Sequence, residues 1–286
     1  MLKLTAVFVV LFMAIGSADV RASILVPRSE SFNVDPGWDG VGNAANGNNF
    51  GFRNSANAGG SLGEAGGTIA RTLNRAYYGD TILGGLITLD HQIRASGRLS
   101  VSNLAFNNAV RIGHFSTLGS DNVAFDFLGF QVAEPEPSTD SDYRIMATIF
   151  LGDTVPGGVR SAPLRLSPDE DYKWLYEWNP DLNAGNGLLT VEFFESDDTS
   201  IGNVSVGLSS SQRTTGVSLD AFGLSTGAIG GPISPSNAVD VFIDDVSYST
   251  AQVVPEPASV GIWSLIGIVA IGLGWSSKRR SALATS

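Results

Sequence analysis

The sequence predicts an all-β protein built as a sandwich or barrel of antiparallel strands. Many short runs have the composition and alternation of β-strands, and turn residues separate them. The chain holds 34 glycines and 12 prolines in 286 residues, a content typical of frequent turns. No long stretch has helical periodicity, and no repeat of about 20 to 50 residues recurs, which disfavours a propeller or solenoid.

The first element is an N-terminal helix typical of a secretory signal peptide. Lys3 precedes an apolar run over residues 4–15, and small and polar residues lead to Ala22. As a helix this run would be about 18 Å long, which is short of the roughly 30 Å hydrocarbon core of a bilayer. The sequence therefore predicts a signal peptide over residues 1–22, cleaved after Ala22, rather than a membrane anchor.

Predicted strands occupy the chain between residues 23 and 253. Asp-Gly, Asn-Gly and Gly-Gly pairs, which allow positive φ, lie between several of them. This part of the chain is long enough for one large β domain with a substantial core. The predicted strands are 49–53, 68–73, 86–93, 98–104, 109–114, 123–132, 143–151, 159–166, 172–178, 188–194, 201–208, 217–222 and 239–248.

The pattern of these strands and turns resembles secreted concanavalin A-like lectin/glucanase domains. The resemblance is carried by NNFGFRNSANAGGSLGEAGGTIAR, the pair Tyr77-Tyr78, YKWLYEWNPDLNAGNGLLTVEF, AFGLST and VDVFIDDVSY. It implies a jelly-roll β-sandwich of two antiparallel sheets over residues 23–253. The first and last strands of such domains lie side by side, so residues 29–33 are expected beside residues 239–248.

The C-terminal segment, residues 254–286, combines three features in a fixed order. It begins with VPEPAS, continues with an uncharged apolar span over residues 260–275, and ends with Lys278, Arg279 and Arg280. As a transmembrane helix the span would be about 24 Å long, short for a permanent anchor. The basic cluster is predicted to be a cytoplasmic stop, which places the acidic domain outside the inner membrane.

This arrangement resembles the PEP-CTERM sorting signal, with its motif at Pro255, Glu256 and Pro257. The resemblance implies sorting by exosortase, a membrane-embedded enzyme, and transient retention in the inner membrane before the protein reaches the cell surface or extracellular matrix. A second Pro-Glu-Pro at residues 135–137 has no apolar span or basic cluster behind it, so we interpret it as a polar loop. An ordinary single-pass anchor with an incidental Pro-Glu-Pro is the alternative.

Composition excludes several classes of site. The chain has no cysteine, which excludes disulfides, thiolate metal sites and thiol nucleophiles. Its two histidines, His91 and His114, are too few for a histidine-dominated metal centre. The formal net charge is −11 at pH 7, so nucleic acid is not expected as a partner.

The run YKWLYEW is the strongest candidate for ligand binding. Alternation along a strand places Trp174, Tyr176 and Trp178 on one face, where aromatic rings would suit stacking on extracellular polysaccharide. An aromatic stripe is also what the core of a sandwich requires, so burial between the sheets is the alternative. The further candidate contacts, polar residues expected at a sheet edge, are Asn54, Asn57 and Glu64.

The resemblance to jelly-roll domains implies a structural Ca²⁺ as the one candidate cofactor. Jelly-roll carbohydrate-binding modules hold such an ion between the first strand and the acid pair of the last, which here are Glu30, Asp244 and Asp245. Carboxylates, carbonyls and water could supply the oxygens that calcium needs. Successive side chains face opposite ways, so one of the two aspartates must be bulged, capped or coordinated. A hydrogen-bonded turn is the alternative.

The expected function is that of an exported, non-catalytic protein associated with extracellular polysaccharide. The sequence has neither the E-x-D-x-x-E spacing of laminarinase-type glycosidases nor a G-x-S-x-G nucleophile motif. Two other functions stay open, a structural surface protein without a specific ligand and a glycoside hydrolase with scattered acids. Exposed aromatic rings would favour binding, and a carboxyl pair about 5 to 10 Å apart in a cleft would favour hydrolysis.

Overall fold

The protein, described from a computed structural model, folds into two antiparallel β-sheets. The structure describes residues 23–72, 74–103, 108–118, 126–133, 141–152, 158–226 and 238–253. The predicted signal helix, the sorting motif, the membrane span and the basic stop lie outside these residues. Within the described ranges, no helix is long and apolar enough to cross a bilayer.

The elements are almost all strands, with one helical turn. Residues Leu25–Ala251 form one compact unit. Of the second unit, the structure describes only residues 23–24 and 252–253. The bounds are β1 (Ser23–Glu30), β2 (Asp39–Val41), β3 (Asn49–Arg53), β4 (Glu64–Ala70), β5 (Tyr77–Asp80), β6 (Ile93–Ser102), β7 (Ala109–Phe115), β8 (Phe127–Ala133), β9 (Tyr143–Phe150), β10 (Val159–Arg160), β11 (Leu164–Leu166), β12 (Asp171–Asn179), β13 (Leu188–Glu195), β14 (Ser200–Gly207), α1 (Ser210–Arg213), β15 (Ala221–Thr226) and β16 (Ala238–Val253).

The strand order confirms the predicted jelly-roll sandwich. Sheet A runs β14-β13-β12-β6-β16-β4-β3, and β1 also pairs with β16. Sheet B runs β10-β9-β8-β7-β15-β5-β2, and β11 also pairs with β9. The first and last strands are therefore neighbours as expected, and Ser29 Oγ donates to Ser247 Oγ at 3.3 Å. The first strand ends at Glu30 rather than extending over residues 29–33.

Two predicted strands are wrong over most of their length, 217–222, because β15 begins only at Ala221, and 86–93. Ile87 forms only an isolated bridge with Leu219, and His91 N–H donates to the Thr88 carbonyl oxygen in a turn. The apolar alternation in this run comes from the burial of Ile87 and Leu89 within a connecting segment, which needs no strand partner. Burial and strand pairing leave the same short-range pattern in a sequence.

The main core lies between the two sheets. Alternate side chains of β12 and β13 are buried, as the period of two requires. Phe130 of sheet B packs against Trp174 and Phe193 of sheet A, with ring centroids 5.2 and 5.3 Å apart. These edge-on contacts join the two layers across the sandwich.

His114 belongs to this core and links the sheets by hydrogen bonds. Its Nε2–H donates to the Ser249 carbonyl oxygen at 2.8 Å, and its Nδ1 accepts from the Tyr176 hydroxyl at 2.6 Å. A carbonyl can only accept, so this arrangement fixes one neutral tautomer of the ring. Burial lowers the pKa of His114 to about 4. The histidine is therefore a satisfied, uncharged core residue.

A row of glycines crosses sheet B at the same register on four adjacent strands. Gly79, Gly223, Gly113 and Gly129 are successive partners on β5, β15, β7 and β8. A Cβ at any of the four would lie 2.3 to 2.5 Å from a backbone oxygen of an adjoining strand, so only glycine fits. A second small apolar cluster accompanies this row and consists of Tyr77, Phe115, Phe127, Phe150 and Ala221.

Candidate functional site

The aromatic face of β12 is buried. Trp174 is 1% exposed, and Tyr176 and Trp178 are 0% exposed. The indole N–H of Trp174 donates to the Arg98 carbonyl oxygen at 3.1 Å, and that of Trp178 donates to the Leu89 carbonyl oxygen at 2.8 Å. A ring without exposed surface cannot stack on a sugar. The predicted aromatic platform is therefore corrected, and these three rings fill the core because β12 is an interior strand whose inward positions face sheet B.

The opposite face of β12 lines two adjoining grooves, which together we call the sheet A groove. The first has a volume of about 430 Å³ and also contains side chains of β6 and β16. The second has a volume of about 280 Å³ and contains side chains of β12 and β13. Leu175 lines both. The other lining residues used below are Gln92, Arg94, Glu177 and Glu192.

Side chains that donate hydrogen bonds and side chains that accept them lie together in this groove. The Glu177 carboxylate accepts from Gln92 Nε2 and lies 3.6 Å from Arg94 Nε. The Glu192 carboxylate accepts from Ser200 Oγ at 3.3 Å. These groups are exposed or half-buried around the apolar side chain of Leu175. The face therefore offers donors and acceptors beside an apolar patch, the combination that ligand sites use.

The three polar residues predicted at a sheet edge have different surroundings. Asn54 directly follows β3, the last strand of sheet A, and is exposed. Glu64 is 0% exposed, and its two oxygens accept from Asn57 Nδ2 at 2.6 Å and from Ala58 N–H at 2.8 Å. Glu64 thus stabilises the preceding loop, because its carboxylate accepts the hydrogen bonds that these two donors of the loop would otherwise make to water. It does not contact ligand from this position, whereas Asn54 and Asn57 stay at the surface.

A β-bulge in β16 separates the two adjacent aspartates. The pairing of β16 with β6 shifts register between Asp244 and Ser247, and Asp245 has a φ of +47°. Asp245 Oδ2 accepts from Arg98 Nε at 3.0 Å. Asp244 is 1% exposed, and its Oδ1 accepts from Asp245 N–H at 2.7 Å. The expectation that one of the pair is bulged is therefore met.

The three predicted calcium ligands each accept a hydrogen bond from the protein. Glu30 Oε1 accepts from Phe32 N–H at 3.0 Å, and Asp245 pairs with Arg98. Within the described part of the chain, no group of three or more histidine, aspartate or glutamate side chains is arranged to hold a metal ion. The contacts in the structure are those of the alternative, a hydrogen-bonded irregularity in the last strand, and the calcium site stays a prediction.

The buried carboxyl of Asp244 predicts a pH-dependent stability. Burial raises the pKa of Asp244 to about 6, and the charges of Asp245 and Glu64 add to this effect. The folded state therefore holds the proton of Asp244 more tightly than the unfolded state does. The resulting contribution of Asp244 to the free energy of unfolding is fully present below about pH 4 and is lost as the pH rises through 6. We expect Asp244→Asn to raise the free energy of unfolding by about 1 to 2 kcal/mol at pH 7.5 and to give no such gain at pH 4.

Urea denaturation of the variant and the parent at the two pH values measures this difference. The matched control is Asp240→Asn on the same strand, where the carboxylate accepts from Thr68 Oγ1 at 2.6 Å and no gain is expected. A loss of stability for Asp244→Asn at pH 7.5 would contradict the prediction.

Comparison with known proteins identifies the C-terminal segment. The model of the PEP-CTERM protein-sorting motif matches residues 253–280. This range contains the predicted Pro-Glu-Pro motif at 255–257, the apolar span and the basic cluster. No curated protein sequence matches the chain.

Several solved structures are similar to this chain at low sequence identity. A protein of unknown function from Shewanella oneidensis MR-1 has a TM-score of 0.50 and 10% identity, covering 86% of this chain and 94% of that chain. Peanut lectin with a 9mer peptide has a TM-score of 0.47 and 10% identity, covering 82% and 100%. The PL-14 alginate lyase from Aplysia kurodai has a TM-score of 0.43 and 8% identity, covering 70% and 87%. The chain thus joins a β-sandwich domain to a PEP-CTERM sorting motif, which implies an exported protein that exosortase processes.

Proposed function

We propose that the sandwich domain binds extracellular polysaccharide through the sheet A groove and does not cleave it. The observation that carries the proposal is the groove itself, a trough of mixed polar and apolar lining that crosses several strands on the outer face of the sheet. Its two parts have volumes of about 430 and 280 Å³, within or near the range of ligand sites. A trough of this size suits several residues of a polymer rather than one sugar.

The chemistry of the lining supports a glycan as the ligand. Sugar hydroxyls donate and accept hydrogen bonds, and Glu177 and Glu192 supply acceptors while Arg94 supplies donors. Leu175, shared by both parts, offers an apolar surface to the C–H faces of a pyranose. This set replaces the aromatic stacking that the sequence suggested, since those rings lie on the other face of the same strand.

The positions of the carboxyls whose pKa is raised support binding without hydrolysis. A glycosidase keeps one carboxyl protonated near neutral pH by raising its pKa. Burial raises the pKa of Asp126, Asp171 and Asp244, and none of these three lines the groove. The acidic turn after β13 is a solvated loop, in which Asp198 pairs with Lys173 Nζ at 2.7 Å.

The sorting motif sets where this binding takes place. Exosortase is the proposed partner in the inner membrane, which retains the precursor transiently while the domain lies outside. The processed protein then acts at the cell surface or in the extracellular matrix, where exported polysaccharide is present. Burial of the β12 rings favours a second candidate, a structural surface protein without a specific ligand.

Polysaccharide binding by the full-length chain in detergent separates the two candidates. The probes are a panel of purified polysaccharides that includes the exopolysaccharide of the host. We expect Glu177→Ala to weaken binding by about tenfold, because it removes a groove acceptor and releases Arg94. The control Glu195→Ala changes an exposed glutamate of β13 outside the groove and should leave binding unchanged. No binding to any probe, or equal losses in both variants, would support the structural role.

A further inference from the structure

Trp38 marks a second concave site, which none of the sequence predictions included. It lies in the turn-rich stretch DPGWDG at residues 35–40 and is partly exposed. A pocket of about 250 Å³ surrounds it. The polar side chains that line the pocket and are used below are Arg28, Glu30, Asp39 and Asp80.

The indole ring of Trp38 is held in place by other rings. Its centroid lies 4.9 Å from Phe32, 6.1 Å from Tyr248 and 6.3 Å from Phe222, all with edge-on geometry. Phe222 and Tyr248 stack on each other at 4.1 Å. The loop itself is fixed because Gly37 N–H donates to Asp35 Oδ1 at 2.9 Å. An indole fixed in this way loses little entropy when a ligand binds beside it.

One carboxylate of the pocket is fully engaged by the protein. Asp80 is 6% exposed. It forms an ion pair with Arg28, accepts from the Tyr248 hydroxyl at 2.7 Å and accepts from Ile82 N–H at 2.9 Å. Arg28 and Asp80 therefore neutralise each other and form the structural side of the pocket.

The other two carboxylates each keep one oxygen for a ligand. Glu30 Oε1 accepts from Phe32 N–H, and Asp39 Oδ2 accepts from Thr81 Oγ1. Glu30 Oε2 and Asp39 Oδ1 have no hydrogen-bond partner among the described residues. Two unbalanced negative charges thus lie beside an aromatic ring. Such a site favours a positively charged hydrogen-bond donor.

We infer that the Trp38 pocket binds one amino sugar residue, with its ammonium group on Asp39 and Glu30 and its ring beside the indole. The pocket is smaller than the roughly 300 to 1,000 Å³ typical of drug-sized ligands, which fits a single sugar ring. The two carboxylates reject uronic acids by charge repulsion. This site goes beyond the polysaccharide groove of sheet A, because Trp38, Glu30 and Asp39 all lie outside that groove, although Tyr248 lines both.

Calorimetric titration of the full-length chain in detergent tests this site at pH 6, where glucosamine is protonated. The probes are glucosamine, glucose, glucuronate and ethanolamine, the last a cation without a sugar ring. We expect glucosamine to bind about tenfold more tightly than glucose or ethanolamine, and glucuronate not to bind. Equal affinities for glucosamine and glucose, or for glucosamine and ethanolamine, would overturn the assignment.

Variants locate the binding. Asp39→Asn should remove most of the preference for glucosamine over glucose, and Asp181→Asn, an exposed aspartate in the β12–β13 turn, should not. Asp39 is exposed, so its variant should fold, and Trp38→Phe gives a second test at the ring. Glucosamine binding that survives Asp39→Asn would overturn the site. Glu177→Ala, which changes the sheet A groove, should leave glucosamine binding intact. The glucosamine titration therefore tests the Trp38 pocket independently of the polysaccharide proposal.

Discussion

Trp178→Ala is expected to lower the free energy of unfolding by about 3 to 5 kcal/mol. Trp178 is 0% exposed, and its indole N–H donates to the Leu89 carbonyl oxygen at 2.8 Å. The ring also lies against the backbone of Gly187, where a Cβ would come within 1.9 Å of Trp178 Cη2. The substitution therefore leaves both a large cavity and an unpaired carbonyl. Urea denaturation of the full-length chain measures the loss.

Two further variants show whether the loss comes from the core. Leu175→Ala changes the outward face of the same strand and should cost less than about 1.5 kcal/mol. Trp178→Phe keeps an aromatic ring but removes the hydrogen bond to Leu89, so an intermediate loss of about 1 to 3 kcal/mol is expected. If the Trp178→Ala protein were as stable as the parent but no longer bound polysaccharide, the result would indicate that this ring contacts the ligand instead of filling the core.

Acidification is expected to destabilise the fold by about 3 kcal/mol through His114 alone. The folded state holds this ring neutral, with a pKa of about 4, whereas an unfolded histidine titrates near 6.5. The unfolded state therefore binds more protons between these values, and stability falls as the pH drops from 6.5 through 4. Above pH 6.5 the contribution is complete and stability does not change with pH through this group.

Asp244 acts in the opposite direction over an overlapping range, so the measurement is made in the Asp244→Asn background. Denaturation at pH 7, 5.5 and 4 should show the loss, and His114→Gln should remove that slope although it also lowers stability at pH 7. His91, which lies half-buried in a turn outside the core, is the control: His91→Gln should keep the slope. An unchanged slope in His114→Gln would assign the acid sensitivity to other groups.

The sequence predicted the fold where local pattern and tertiary packing agree. The run at 49–53 has the same bounds as β3. The strand β12 extends one residue beyond its predicted run at each end, and β13 extends one residue beyond its run at the C-terminal end. Both β12 and β13 have one buried face, so alternation records their structure. Short strands such as β5 (Tyr77–Asp80) were missed, because both faces of β5 are buried and no alternation remains.

The candidate site was harder to predict, because a strand pattern places residues on a face without saying which face is inside. Trp174, Tyr176 and Trp178 share a face as predicted, yet only the tertiary structure shows that this face is the core. Glu64 and Asn57 meet as neighbours, but they bind each other. Trp38 was overlooked because it lies in a turn, although a tryptophan in the polar stretch DPGWDG is an available signal.

The position of β16 determines how the domain resists mechanical force. The strand is paired with β4 over residues 238–243 and with β6 over residues 240–248, and it also pairs with β1. It ends at Val253, where the sorting motif begins. Tension applied from the C-terminal side therefore runs along a strand held on both sides, and it loads cross-strand hydrogen bonds together in shear. Such a pull meets an interior strand of sheet A instead of peeling away an edge strand.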